Sequence, residues 1–235
     1  APSITVFFPR LLYALNTLNL SDSEISASTK DGEAGNLEID AVDSIELTGE
    51  GGLLVQATGN GKAGSITVDT SQFSINDGAQ VTVSSKLAQA GNLNITADNL
   101  SLNRGQLTAN TSAGNDSEGA NITLNIKDLL RMRNNSLISA KASNTANGGN
   151  ITINNQNGFI IGTSFEDSDI NANATKGKGG NINITTQNIL GLVFRDDNTN
   201  KSDITVSSEF GLNGELTVEK LNVNPASGLV ELPST

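Results

Sequence analysis

The acidic side chains are the residues of this sequence whose chemical type could support a reaction or bind a cation. The chain has no histidine and no cysteine, so zinc sites built from these residues are excluded. Ser-His-Asp and Cys-His catalysis are excluded for the same reason. Carboxylates leave two kinds of chemistry open: oxygen ligation of a hard cation such as calcium, and paired acid–base groups for glycoside hydrolysis.

Four aspartates late in the chain are the candidates for this chemistry. Asp167, Asp169, Asp196 and Asp197 could ligate a hard cation, and the Asp196-Asp197 pair lies in a loop where paired carboxylates could act. With 3% aromatic residues, few rings are available to stack on sugars. Solvated acidic loops explain these residues better than a cation site. We therefore expect no metal, no cofactor and no enzymatic activity.

Composition limits the partners of the protein. The net charge is −11 and the sequence pI is about 4.3, which argues against a nucleic-acid partner because such binding rests on a basic surface. Pro9 and Arg10 interrupt a short apolar run near the amino terminus, so we expect no membrane span.

A short phrase recurs along the chain, as in Gly149-Asn-Ile-Thr-Ile153. Its alternation of apolar and polar residues predicts a half-buried β-strand whose third and fifth residues point inward. Successive copies are 29, 27, 29, 29, 31 and 34 residues apart, and a period near this length indicates a repeat architecture. The copies begin at Gly35, Gly64, Gly91, Ala120, Gly149, Gly180 and Gly214.

Each period contains three short alternating runs, separated by turns rich in Gly, Asn, Asp and Ser. Residues 122–124, 130–132 and 136–140 are the three runs of one period. The fold predicted is an all-β parallel β-helix with three strands per coil. We expect about seven to eight coils of roughly 29 residues, stacked about 4.8 Å apart.

The repeat divides the chain into three parts. Residues 1–20 are an amino-terminal flank, for which the pattern allows an incomplete coil or a helical cap. Residues 21–223 are the parallel β-helix. Residues 224–235 are a carboxy-terminal tail, where Pro225 and Pro233 mark the end of the pattern.

Four phrases carry a family resemblance: Gly-Gly-Asn-Ile-Thr-Ile at 148–153, Val-Thr-Val-Ser-Ser at 81–85, Ser-Asp-Ile-Thr-Val-Ser-Ser at 202–208 and Asn-Pro-Ala-Ser-Gly-Leu-Val-Glu-Leu-Pro at 224–233. With them, the region from about residue 20 to 233 resembles the filamentous haemagglutinin-like proteins of cyanobacteria. Proteins of that family are exoproteins of two-partner secretion, in which a right-handed parallel β-helix crosses the outer membrane through a dedicated translocator.

The resemblance implies a right-handed solenoid, an outer-membrane translocator as partner of the full-length protein, and a secreted or cell-surface location. The family's amino-terminal secretion domain, with its Asn-Pro-Asn motifs, is not visible in this sequence. The chain therefore resembles the carboxy-terminal part of a longer passenger, and no secretion residues are carried over to it.

An asparagine recurs at the second position of the phrase, with Ser65 and Glu215 as the exceptions. Identical amides stacked on successive coils can hydrogen-bond along a rod, which predicts a structural ladder. A row of donors for a flat ligand is the functional alternative. The predicted ladder comprises Asn36, Asn92, Asn121, Asn150 and Asn181.

The two longest steps of the repeat are consecutive and place extra residues in two loops. If both loops leave the rod at one corner, they form a single patch with an exposed aromatic ring, an arginine and several carboxylates. Rigid scaffolds carry recognition on their loops, so this patch is the predicted binding site. Tolerated insertion is the alternative, because lengthening a surface loop costs little. The patch comprises Phe165, Glu166, Asp167, Arg195, Asp196 and Asp197.

These observations predict a structural and adhesive rod, a segment of a secreted or surface-displayed haemagglutinin-like exoprotein. Its expected partner is a glycan or a cell-surface receptor. The alternative is a carbohydrate-active β-helix enzyme, pectate-lyase-like or glycosidase, because the fold alone does not decide function.

Overall fold

The computed structural model describes residues 3–5, 10–112, 114 and 118–220, and these residues contain strands and turns but no helix. Alternating apolar residues and β-branched side chains favour extended structure throughout. The strands are β1 (Ser3–Thr5), β2 (Arg10–Ser21), β3 (Glu24–Ser26), β4 (Asn36–Thr48), β5 (Gly52–Ala57), β6 (Ile66–Asn76), β7 (Gln80–Ser85), β8 (Leu93–Asn103), β9 (Gln106–Thr111), β10 (Ile122–Arg133), β11 (Leu137–Ser139), β12 (Ile151–Ile161), β13 (Asp169–Asn171), β14 (Ile182–Leu190), β15 (Val193–Phe194), β16 (Asp203–Thr205) and β17 (Leu216–Lys220).

The strands form two sheets that run side by side along the molecule. The long sheet has eight strands in the order β17-β14-β12-β10-β8-β6-β4-β2. The short sheet has nine, in the order β1-β3-β5-β7-β9-β11-β13-β16-β15. Neighbouring strands are parallel in both sheets. The chain thus passes from one sheet to the other in every coil, which confirms the predicted parallel β-solenoid with a repeat of about 29 residues.

The solenoid has about six turns, slightly fewer than the seven to eight coils predicted. The difference arises at the ends of the solenoid, where the coils are incomplete. No strand follows β17 within the described residues. The three predicted runs per coil are present, but the first two join into one long strand. In β10 the register with β8 shifts between Ile126 and Leu129, so the chain bends there without ending the strand.

The inward positions are those that the alternation predicted. Ile151 pairs with Ile122 on one side and with Ile182 on the other, and all three side chains are fully buried. Thr152, one residue along, lies on the outer face of the sheet. Complete burial of such a side chain contributes about 1.5–3 kcal/mol, so stacked isoleucines, leucines and valines are a major source of the core's stability.

Glycine precedes most of the repeated strands because coils approach closely at this corner. A Cβ atom on Gly149 would lie 1.7 Å from the carbonyl oxygen of Ala120, and one on Gly180 would lie 2.0 Å from that of Gly149. Neither glycine has a positive φ. Close backbone approach, and not a left-handed conformation, is therefore the reason for glycine here.

The described residues of the amino-terminal flank belong to the solenoid, since β1 pairs in parallel with β3. β2 pairs in parallel with β4 over Arg10–Ser21, which corresponds to a coil and not to a helical cap. The predicted tail at 224–235 lies outside the described residues, as do residues 221–223. Across the described ranges, no helix has the length and apolar character needed to cross a membrane.

Two substitutions in β12 test the register. Ile151→Asp places an unpaired carboxylate in the core and should lower the free energy of unfolding by about 3 kcal/mol or more. Thr152→Asp, on the outer face, should change it by less than about 0.5 kcal/mol. Urea denaturation followed by circular dichroism measures both, and equal losses in the two variants would contradict the register.

Candidate functional site

The asparagine column lies at the corner where each coil enters the long sheet. Each side-chain oxygen accepts a hydrogen bond from the backbone N–H at the same position of the next coil. Asn121 Oδ1 accepts from Asn150 N at 2.8 Å, and Asn150 Oδ1 accepts from Asn181 N at 2.9 Å. The contacts run from side chain to backbone, so they differ from the amide-to-amide ladder that the sequence suggested.

This geometry explains the two residues that break the asparagine pattern. Ser65 Oγ accepts from Asn92 N at 2.9 Å, so a hydroxyl oxygen serves as well as an amide oxygen. Glu215 lies at the end of the column and contributes only its N–H, which donates to Asn181 Oδ1 at 3.1 Å. The column thus supplies acceptors for backbone groups at the corner, which is a structural role.

The two long loops lie together at one corner of the rod. One connects β12 of the long sheet to β13 of the short sheet, and the other connects β15 to β16 within the short sheet. Ser202 N donates to Ser164 O at 3.1 Å, and Ser202 Oγ donates to Thr163 O at 2.7 Å. We call residues 163–167 and 195–201 the corner patch.

Glu166 anchors the first loop to the preceding coil. Arg133 donates from Nε to Oε2 at 2.6 Å and from a terminal nitrogen to Oε1 at 2.7 Å, and Asn134 N donates to Oε2 at 3.0 Å. The guanidinium's hydrogen bonds lower the pKa of Glu166 from 4.5 to about 2. Arg133 and Glu166 are 33 residues apart in the sequence, a distance close to one coil of the solenoid.

Phe165 is the residue that this anchored loop presents to solvent. Its side chain is 81% exposed. Lys201 of the second loop lies above the ring, with its Nζ 5.7 Å from the ring centroid. This separation is within the range of a cation–π interaction. The two loops therefore contribute adjacent aromatic and cationic groups to the corner patch.

Arg195 does not present its charge to solvent as the patch prediction assumed. Its side chain is half-buried and pairs with the fully buried carboxylate of Asp203. Asp169, one coil earlier, is also buried: it accepts from Asp203 N at 2.9 Å and from Asn198 Nδ2 at 3.2 Å. Burial raises the pKa of Asp169 to about 6, Asp167 adds to the rise and Arg195 opposes it. Both carboxylates therefore accept hydrogen bonds from groups within the protein, and most of these groups belong to the loop 195–201.

The remaining acidic residues of the two loops do not converge. Asp196 and Asp197 are exposed, and Asp167 accepts from Asn135 Nδ2 at 3.3 Å. Within the part of the chain that the structure describes, no three carboxylates are grouped as metal ligands.

Sequence reasoning missed a groove of about 470 Å³ at the bend of the long strands. We call it the corner groove. The residues before the bend form one wall, the residues after it form the other, and backbone at the bend forms the floor. The sequence does contain a sign of this groove: the sixth residue of the repeated phrase is polar in every coil that lines it. This wall comprises Asp40, Asp69, Thr96, Asn125 and Asn154.

The fold and these surfaces define a β-solenoid with a regular core and two irregular features, the corner patch and the corner groove. Comparisons with family models, with curated proteins and with solved structures found no match. The features of the molecule itself therefore carry the functional argument.

A substitution in the asparagine column should break the hydrogen bond to one neighbouring coil and keep the bond to the other. Asn150→Ala removes the acceptor of Asn181 N and keeps the N–H that donates to Asn121. The loss of one acceptor for a partly buried N–H should cost about 1–3 kcal/mol. Asn154→Ala, which removes an exposed amide, is the matched control and should cost less than about 0.5 kcal/mol. Urea denaturation compares them, and a neutral Asn150→Ala would contradict the structural role.

The Arg133–Glu166 pair predicts a pH-dependent difference in stability. Because the pKa of Glu166 is depressed to about 2, its contribution is present above about pH 4.5 and is lost as the pH falls toward 2. Glu166→Gln should therefore be less stable than the parent protein at pH 7, with a difference that shrinks at low pH. Urea denaturation at several pH values measures it, and Glu209→Gln at an exposed loop position is the control. A stability difference between Glu166→Gln and the parent protein that does not change with pH would contradict a stabilising ion pair.

Proposed function

We propose that this chain is a structural and adhesive rod segment of a secreted or surface-displayed exoprotein of the filamentous haemagglutinin type. The full-length protein crosses the outer membrane through a dedicated translocator, and the rod binds a glycan or a cell-surface receptor without cleaving it. The observation that carries the proposal is the corner patch, where a rigid solenoid presents an exposed aromatic ring on an anchored loop.

The anchoring of this loop supports recognition over simple tolerated insertion. The ion pair between Glu166 and Arg133 fixes one side of the loop, and the Ser202–Ser164 hydrogen bond fixes the other. A loop held in one conformation loses little entropy on binding. Phe165 is thereby positioned as a preorganised anchor, the kind of side chain that dominates binding energy at interfaces.

The chemistry around the ring favours a polar partner with an apolar face. Lys201 lies above the ring and the carboxylates of Asp196 and Asp197 lie in the neighbouring loop. A sugar ring offers a hydrophobic C–H face to an aromatic side chain and hydroxyl groups to charged neighbours. A glycan, free or on a cell-surface receptor, therefore suits the patch.

Two exposed phenylalanines allow a matched test of this site. Phe165→Ser should reduce attachment to a glycan array and to cell surfaces by at least about tenfold, because it removes the anchor of the patch. Phe210→Ser, at another loop position that is 70% exposed, should leave attachment within about twofold.

The controls for this experiment are folding and turnover. Circular dichroism and the melting temperature should be unchanged in both variants, since neither side chain is in the core. No new reducing ends should appear in the bound glycan, because an adhesin does not cleave its ligand. Equal attachment by both variants would move the site elsewhere, and release of sugar ends would favour an enzyme.

A further inference from the structure

The corner groove runs parallel to the axis of the rod over five successive coils. Its floor is formed at Ala41, Thr70, Ala97 and Ile126, and its second wall includes Ser71, Asp98 and Lys127. The register of the long strands shifts or skips a residue at this bend, as it does between Ala41 and Ser44. The groove is therefore built into the bend itself and recurs in every coil that it crosses.

The first wall presents one polar side chain per coil, in register. In the strand register, Asp69 lies between Asp40 of the preceding coil and Thr96 of the following one, and all three side chains are exposed. Asn154 donates from Nδ2 to Asn125 Oδ1 at 2.8 Å. Parallel strands lie about 4.8 Å apart, so equivalent hydrogen-bonding groups repeat at that interval along the groove. This interval is close to the length of one sugar unit in an extended β-1,4-linked polysaccharide.

The floor of the groove leaves polar groups outside the backbone ladder. Val42 has no partner in the strand register, and its carbonyl oxygen accepts from Ser71 Oγ at 2.8 Å. Thr70 is 5% exposed, and its hydroxyl is buried without a hydrogen-bond partner among the described residues. Ala41 and Ala97, its neighbours in the column, have no polar side-chain atom to offer it. The Val42 carbonyl is already occupied by Ser71 and the Thr70 hydroxyl is shielded from solvent, so a ligand in the groove would be held by the exposed side chains of its walls.

The charged side chains of the corner groove restrict the kind of glycan that it can bind. The groove carries the carboxylates of Asp40, Asp69 and Asp98 and one ammonium group, Lys127, which pairs with Asp98 at 3.3 Å. An excess of negative charge repels polyanionic glycans such as polyuronates. Carboxylates, amides and hydroxyls are all partners for neutral sugar hydroxyls.

We propose that the corner groove binds an uncharged, linear β-1,4-linked polysaccharide that lies along the rod, with about one sugar unit per coil. The choice of a glycan rests on the proposed adhesive function, which it extends from the corner patch to the length of the rod. The groove is a second surface, and it contains none of the patch residues.

Oligosaccharide length provides the first test. Isothermal titration of the full chain uses the disaccharides and hexasaccharides of β-1,4-linked glucose, xylose, mannose and N-acetylglucosamine. At least one hexasaccharide should bind about tenfold or more tightly than its disaccharide, because it contacts more coils. Lack of binding by all four hexasaccharides, or affinity that does not rise with length, would overturn the proposal.

A matched pair of variants locates the site. Thr96→Arg places a large cation in the groove wall and should weaken hexasaccharide binding at least about tenfold. Thr67→Arg, exposed on the same sheet but outside the groove, should change affinity less than about twofold. Unchanged circular dichroism shows that both variants fold. Equal effects of the two substitutions, or tighter binding of a galacturonic acid hexamer than of every neutral hexasaccharide, would refute the groove assignment.

The two surfaces are tested separately. Phe165→Ser should keep hexasaccharide binding, and Thr96→Arg should keep attachment through the corner patch. If surface attachment fails while hexasaccharides bind in the groove, the proposed adhesive patch is wrong and the groove stands. If attachment depends on Phe165 and no hexasaccharide binds, the adhesive rod stands and the groove proposal falls.

Discussion

Hydrogen bonding between parallel coils is the constraint on which the other features of this molecule depend. Outside the bends, strand residues pair with the equivalent residues of the next coil, as Ile122, Ile151 and Ile182 do in the long sheet. Whatever the sequence repeats therefore becomes a column at the strand spacing. The apolar core, the asparagine column and the polar wall of the corner groove are three columns produced by this one constraint.

The two proposed recognition surfaces lie where the regular pairing between strands is interrupted. The register irregularity within each long strand opens the corner groove, and the two longest repeat steps produce the corner patch. In both places backbone groups leave the ladder and side chains replace their partners, as Ser71 does for Val42 and as Glu166 does for Asn134. Regular coils thus supply rigidity, and departures from regularity supply surfaces that differ from coil to coil.

The sequence predicted those features that follow from period and parity. The fold class, the inward isoleucines and the proximity of the two long loops all follow from counting residues. It did not predict that the asparagine oxygens bind backbone N–H groups, because residue identity does not define a side-chain rotamer. Nor did the sequence predict the different partners of two arginines: Arg133 anchors Glu166, and Arg195 neutralises the buried Asp203. Each outcome depends on which carboxylate a loop brings near, and loop paths carry no periodic signal.

The direction of the hydrogen bonds has a mechanical consequence. Because the bonds between coils run along the axis, tension applied to the two ends of the rod loads one coil interface after another. The interfaces from β4 to β17 also carry a side-chain-to-backbone bond of the asparagine column, such as that between Asn121 and Asn150. A coil that detaches releases about 29 residues, or roughly 100 Å of extended chain, while the coils behind it stay folded. A solenoid with this construction lengthens in steps under tension and keeps the surfaces of its remaining coils intact.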